Sequence, residues 1–150
     1  SRDVWYTERE RARDLEREAH DFFAYGSDIS REAAALTAAN AEAAGVDDLV
    51  SVRCCELKNF VPQTERGTLH RDSQYGQLVT NPPYGERMLD IEQANALYRD
   101  MGRVFERRHG WSYSIITPCD TFEQEFGRKA DKRRKLYNGM IKCQLFMYFR

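Results

Sequence analysis

Apolar and polar positions alternate with two different periods along this chain, and each change of period marks an element. Residues 2–19 are dense in Glu and Arg at i,i+3 and i,i+4 spacings, with Trp5, Ala12, Leu15 and Ala19 as a sparse apolar stripe, which predicts a surface helix. HDFFAYGSD predicts a short strand ending near Ser27 and Asp28. Ser30 then stands at a capping position with Glu32 in the first turn, and SREAAALTAANAEAAG predicts an alanine-rich helix that stops at Gly45. In LVSVRC, Val50 and Val52 alternate with Ser51 and Arg53 as a second strand, followed by a polar stretch from Lys58 to Asp72 that holds Pro62 and Gly67. YGQLVT predicts a third strand, which runs directly into NPPYGER. From about Glu92 to Arg108 the apolar positions Ala94, Leu97, Met101, Val104 and Phe105 recur on one helical face. WSYSIIT reads as a fourth strand, Phe122 to Phe126 as a short helix, and KLYNG with IKCQLFMYF as a hairpin-like pair closing the chain.

Strands alternating with helices predict an α/β fold with a parallel sheet, its last strand antiparallel at or near an edge. Ligands of such sheets bind outside the carboxyl ends of the strands. Asp28 after the first strand and Asn81 after the third fall there.

Composition narrows the partners. At 150 residues the chain is one domain or part of one. Charged residues make up 31%, but the net charge is only -1, so attraction to an anionic partner must be local. The longest apolar stretches, near Ile115 and Phe146, fall far short of the roughly 20 residues of a membrane span, and no signal peptide is evident. The expectation is a soluble chain of the cytoplasm. The four cysteines at 54, 55, 119 and 143 form no CxxC pair, and His20, His70 and His109 are not at ligand spacing with them. No metal site is expected, and free thiols in a reducing compartment are the simpler account. The chain starts at Ser1 without an initiator methionine, which suggests a piece of a longer protein.

NPPY at a strand end has a specific chemistry. Each proline fixes φ near -65° and removes a backbone donor, so the carbonyls of Asn81 and Pro82 are held in a rigid turn with little competition for them. The Asn81 side chain adds another carbonyl, and Tyr84 offers a flat face and a phenol. A planar base with an exocyclic amine suits the arrangement: its N–H donors meet the oxygens while its ring stacks on the tyrosine. Two acceptors on the amine hydrogens push electron density toward nitrogen and favour attack on an electrophilic carbon. The bland alternative is a proline-rich turn that ends a strand.

Other residues carry two readings each. Asp28 either complements a helix start or accepts from both ribose hydroxyls of a nucleoside cofactor. Glu56 is either a solvated acid or an acceptor for the cofactor's adenine amine. GRKADKRRK, from Gly127 to Lys135, carries six basic residues against one acid. It is either a solvated basic loop or a set of phosphate contacts, with Tyr137 beside it able to stack on a base.

Together, GSDIS with its helix ending NAEAAGV, NPPYGERM followed by LYRDMG, and the closing KLYNGMIKCQLFMY resemble the class I S-adenosylmethionine-dependent methyltransferases that modify exocyclic amines. The resemblance runs from about Trp5 to Tyr148. It is strongest to the RNA methylase family that includes the bacterial 23S rRNA guanine-N2 methyltransferases with an N-terminal THUMP domain. NPPY alone also allows adenine-N6 or protein glutamine methylases; the GER extension and the KLYNG ending select the RNA family. The resemblance implies S-adenosyl-L-methionine as cofactor, ribosomal RNA as partner, and no membrane. It assigns Asn81, Pro82, Pro83 and Tyr84 to the catalytic loop, Asp28 with Ile29 beside it to the cofactor ribose, and Glu56 to the cofactor adenine, with Asn81 also reaching the cofactor. Arg87, Lys132, Arg133, Arg134 and Lys135 are the expected RNA contacts. The runner-up readings are adenine-N6 methylation of DNA and a non-catalytic RNA-binding fragment.

The implied fold is a Rossmann-like class I methyltransferase sheet, mostly parallel with an antiparallel strand near the C-terminus, lacking its first strand. None of the nine glycines forms the GxG that wraps the cofactor's methionine part in the family. Residues 1–150 therefore read as the later part of a catalytic domain, without first strand, glycine-rich loop or THUMP domain, and the fragment alone is expected to be inactive. In the family the first strand lies between the strand ending at Asp28 and the one ending at Asn81. The gap is expected to be filled by strand exchange or dimerisation with another copy, by direct pairing of the flanking strands, or by a separate chain.

Overall fold

The computed structural model describes residues 2–16, 23–60, 76–84, 91–105 and 110–149. The Glu/Arg-rich segment forms α1 (Arg2–Asp14), with no residue buried and Trp5 64% exposed, as its sparse stripe implies. Ala24–Asp28 is β1 and Arg31–Ala44 is α2. Ser30 caps α2, its hydroxyl accepting from the N–H of Ala33 at 3.2 Å, and the helix closes at Gly45 with Val46 N–H on the Ala41 carbonyl. β2 (Val50–Cys54) leads into a short 3-10 turn, Leu57–Asn59. β3 (Gly76–Thr80), α3 (Ile91–Val104), β4 (Trp111–Thr117) and α4 (Phe122–Phe126) follow in order. β5 (Lys132–Asn138) and β6 (Ile141–Tyr148) close the chain.

The sheet is in two parts. β1 pairs with β2 in parallel, Asp28 opposite Cys54. The second part has the order β3-β4-β6-β5, with β3 and β4 parallel and β6 antiparallel to both its neighbours. Thus β3, β4 and β5 run one way and β6 the other, as expected of a mostly parallel sheet with an antiparallel strand near one edge.

Two expectations need correction. Direct pairing of the strands that end at Asp28 and Asn81 does not occur: among the described residues β1 bonds only β2, and β3 only β4. The halves meet instead through the turn after β2, which packs on α3, with Leu57 against the main core. That contact links the two parts through a helix rather than a strand ladder. The second half of the basic stretch is also not a loop. β5 starts at Lys132, three residues before the predicted strand, because each residue from Lys132 to Asn138 finds a cross-strand partner on the strongly apolar β6. Pairing overrides the weak strand preference of lysine and arginine, which an exposed edge tolerates.

The core lies on one face of the four-stranded sheet. Tyr113, Ile115 and Thr117 of β4 and Phe146 and Tyr148 of β6 alternate inward and are met by Ala94, Tyr98 and Met101 of α3, with Phe105 just beyond it, and by Phe122 and Phe126 of α4. Aromatic rings dominate: Phe122 sits 4.7 Å from Phe146 and 5.1 Å from both Tyr98 and Phe126. Each such burial contributes about 1.5–3 kcal/mol. Predicted from its apolar face alone, α3 was expected to hold Leu97 and Val104 inside; these are only partly buried, and Tyr98 takes the central place.

α3 and α4 approach so closely that Gly102 has no room for a side chain, since a Cβ there would run into the Phe126 carbonyl oxygen. Gly102→Ala is therefore expected to destabilise the fold by about 1–3 kcal/mol despite alanine's better helix propensity. Urea denaturation of the two proteins measures this; an equal or higher midpoint for Gly102→Ala would show that the helices can separate freely.

Candidate functional site

Asn81 follows β3 directly, at the carboxyl end of the strand, and is exposed, whereas Pro82 behind it is buried and Pro83 and Tyr84 are half-buried. The buried proline anchors the bend, and the amide before it stays open to solvent. The neighbouring carboxyl end, that of β4, carries a buried polar cluster. Tyr98 of α3 places its hydroxyl 2.9 Å from the Thr117 hydroxyl, and the same Thr117 oxygen accepts from the N–H of Cys119 at 3.2 Å. Thr117 is fully buried, so this network satisfies groups that would otherwise be costly. Burial pushes the Tyr98 phenol up from its ordinary range, the Thr117 hydrogen bond acting against that shift, with Cys119 and Tyr84 near enough to add to it.

The β5–β6 hairpin reaches the same place. Thr117, the last residue of β4, lies opposite Gln144, so Ile141 to Cys143 of β6 have no β4 partner and the hairpin projects past the carboxyl end of β4. At its tip, Asn138 Nδ2 donates to the Tyr84 hydroxyl at 3.1 Å. In the sequence Asn138 stands out only as part of KLYNG; its contact with Tyr84, 54 positions away, depends on strand register. Tyr98 was equally missed, although Ala94, Tyr98, Met101 and Phe105 fall at the 3- and 4-residue spacings of one helix face.

Asp28 and Glu56 sit together at the carboxyl end of the β1–β2 pair. Cys55 N–H donates to the Asp28 carbonyl at 2.9 Å, and one Asp28 carboxylate oxygen accepts from Ser30 N–H at 2.8 Å. The local role of Asp28 at the start of α2 is thus observed, and it uses one of two oxygens. Ile29, beside it, is 73% exposed. Glu56 pairs with Lys58 at 2.5 Å, an interaction that raises the Lys58 pKa. No hydrogen bond or ion pair among the described residues joins Asp28 or Glu56 to Asn81 or Tyr84. Arg87 lies outside the described residues, as do the three histidines.

The basic stretch divides. Arg128 turns inward: it donates to the Phe105 carbonyl past the end of α3 and lies 4.8 Å from the Phe126 ring centroid. Arg133 grips the Glu123 carboxylate, its Nε at 2.9 Å, and covers the Phe146 ring at 5.3 Å. Lys132, Arg134 and Lys135 remain exposed on the edge strand. A shallow depression lined by Asp120, Glu123, Gln124 and Arg128 lies on the α4 side and shares no residue with either strand-end cluster. All four cysteines are free thiols, and no group of three or more metal-ligating residues occurs among the described residues. No helix among them is long and apolar enough to cross a membrane.

The model of the RMKL-like methyltransferase domain family matches residues 1–146. YpsC of Bacillus subtilis, which carries the name of an RNA methyltransferase, is 36% identical over 125 residues, 83% of this chain and 30% of its own length. The ribosomal RNA large subunit methyltransferase K/L of Legionella pneumophila is 35% identical over 122 residues, 81% of this chain and 16% of its own. Among solved structures, SMU.472, crystallised with SAH, has a TM-score of 0.81 and 35% identity over 94% of this chain and 35% of that one. A predicted N6-adenine-specific DNA methylase from Listeria monocytogenes has a TM-score of 0.76 and 36% identity over 99% of this chain and 36% of that one. The chain therefore spans about a third or less of each of these four proteins.

The buried phenols give an alkaline signature. Burial raises the pKa of both Tyr98 and Tyr148 above the ordinary 10.0. The folded protein keeps these protons where the unfolded chain loses them, so the contribution of the two phenols to stability is fully present below pH about 10 and falls as pH rises past it. Urea midpoints measured from pH about 8 to 11 should show this decline, and Tyr148→Phe should make it shallower. A midpoint that stays level across that range would contradict the buried, neutral phenols.

Proposed function

The chain belongs to the RMKL-like methyltransferase domain family, and from that premise we propose that the protein containing it methylates an exocyclic amine of an RNA base, with S-adenosylmethionine as donor. The target is guanine N2 of 23S ribosomal RNA, in the cytoplasm. The observation that carries the reading is the exposed Asn81 at the carboxyl end of β3, fixed by a buried proline and followed by a tethered Tyr84. The rRNA methyltransferase K/L relative supports RNA as the substrate.

The described residues fit the nucleoside half of the donor. Asp28 presents a carboxylate at the end of β1 for ribose hydroxyls, exposed Ile29 offers an apolar surface for the base, and Glu56 at the adjacent strand end has an acceptor for the adenine amine. The methionine half calls for a glycine-rich bend, and no GxG occurs in these residues; on this reading the rest of the protein supplies it. When bound, the donor provides an electrophilic methyl carbon. Asn81 Oδ1 and the Pro82 carbonyl accept from the two N–H groups of the base amine, localising the nitrogen lone pair for attack. Tyr84 stacks on the base, which is unpaired or flipped from its helix. Lys132, Arg134 and Lys135 on the edge strand contact phosphates, whereas Arg133 is held by Glu123. The runner-up is adenine N6 of DNA, favoured by the Listeria relative.

Nucleoside analysis after incubating the full-length protein with S-adenosylmethionine and either rRNA or DNA decides between them: N2-methylguanosine supports the proposal, methylated deoxyadenosine supports the runner-up, and no transfer removes both. In the full-length enzyme Asn81→Ala should lower turnover about 100- to 1000-fold with cofactor affinity nearly unchanged. Near-normal turnover would discharge Asn81 from catalysis. Replacing Lys132, Arg134 and Lys135 by alanine should weaken RNA binding and reduce the slope of log K against log salt by about 2. An unchanged slope would leave these side chains as edge protection only.

A further inference from the structure

The β5–β6 hairpin has features that its role as a sheet edge does not explain. Its tip is a two-residue loop, Gly139 and Met140, with Gly139 at φ 62 and no positive φ at Met140, the pattern of a type II′ turn. The hairpin extends three residues beyond the end of β4, about 10 Å at strand rise. This overhang crosses the carboxyl end of the sheet and brings Asn138 to the Tyr84 hydroxyl at 3.1 Å. Met140 at the tip is 98% exposed and Tyr137 72% exposed, so apolar side chains face solvent next to the bond that holds Tyr84.

We propose that Asn138 is a positioning residue that fixes where the Tyr84 ring lies, and that the β5–β6 hairpin forms the second wall of a site for an unstacked nucleobase. The inference rests on the proposed base methylation. A phenyl ring held only through Cβ can swing about χ1; the tyrosine hydroxyl, at the far end of the ring axis, gives a second point of attachment that fixes the direction of that axis. Held at both ends, the ring is already in place before the base arrives, which reduces the ordering cost of binding. Asn138 is exposed on an edge strand and packs into no core, so its removal does not open a cavity. The effect of losing it should appear in base capture rather than in folding.

The test is a double-mutant cycle in the full-length protein with Asn138→Ala, Tyr84→Phe and the pair, following methyl transfer to RNA. Tyr84→Phe keeps the ring and removes only its tether. Each single variant should raise KM for RNA about 5- to 10-fold while leaving KM for S-adenosylmethionine within about twofold, and the pair should be no worse than the poorer single variant. Asn138→Asp, whose carboxylate can accept from the phenol, should restore most of the loss. Effects that multiply in the double variant, or an Asn138→Ala enzyme with wild-type KM for RNA, would overturn the positioning role while leaving base methylation standing. Absence of methyl transfer by the unaltered protein would overturn both. A fall in thermal midpoint with no change in KM would mark Asn138 as merely structural and likewise overturn it.

Discussion

The arrangement at the carboxyl end of the sheet depends on the antiparallel register of β6 on β4. Thr117 opposite Gln144 decides how much of β6 is left over, and that remainder carries β5 and the hairpin tip beyond the strand end. A slip of one residue would turn Phe146 and Tyr148 away from α3 and α4 and bring Leu145 and Met147 inward. The aromatic cluster therefore locks the register: Phe146 meets Phe122 at 4.7 Å, and Tyr148 meets Phe126 at 4.9 Å. Packing on one face of the sheet thus determines whether Asn138 can reach Tyr84 at its end.

The same core fixes the second polar element of the region. Tyr98 packs edge-on against Phe122 and uses its hydroxyl on Thr117, so one side chain joins the hydrophobic cluster to the buried hydrogen bonds beneath the strand ends. Thr117 in turn holds the Cys119 N–H, which directs the chain from β4 toward α4. Leaving any member of this set unpaired would cost about 1–3 kcal/mol, which ties the start of α4 to the end of β4. By contrast the β1–β2 half is lightly held. Its helix α2 buries only Ala34 and Ala41, small side chains that contribute little apolar area. The nucleoside-binding candidates Asp28 and Glu56 therefore stand on a smaller support than Asn81 and Tyr84 do.

Element types and order were legible because each signal is local: the cap at Ser30, the stop at Gly45, the period-2 pattern of WSYSIIT. The placement of Asn81 just after a strand was legible for the same reason. What escaped were facts set by pairing between distant segments. Nothing near Lys132 in sequence says that it starts a strand; its partner Met147 does. Tyr98 lies on the apolar face by its spacing, but nothing local gives its hydroxyl a partner until Thr117 is placed opposite it. Arg128 and Arg133 look like members of a charge run, and only the positions of Phe105, Glu123 and two aromatic rings show that they face protein.

The division of that charge run bears on what the edge of this sheet can do. β5 is exposed along its whole length, and an unpaired edge with alternating apolar residues would invite pairing with another chain. Lysine and arginine prevent this whether or not a nucleic acid is present, so their number alone says little about RNA. Their distribution says more. The two arginines that carry internal partners stabilise α4 and the end of α3, leaving Lys132, Arg134 and Lys135 with the edge. Edge protection needs charge only along the strand, whereas a phosphate track that serves Asn81 needs it to lead toward the hairpin tip. The chain carries the charge at the start of β5 and then changes to Leu136, Tyr137 and Asn138, so that cations give way to an aromatic ring and an amide as the strand nears Tyr84. That order, cations first and an aromatic ring and an amide last, suits the proposed entry of a single strand.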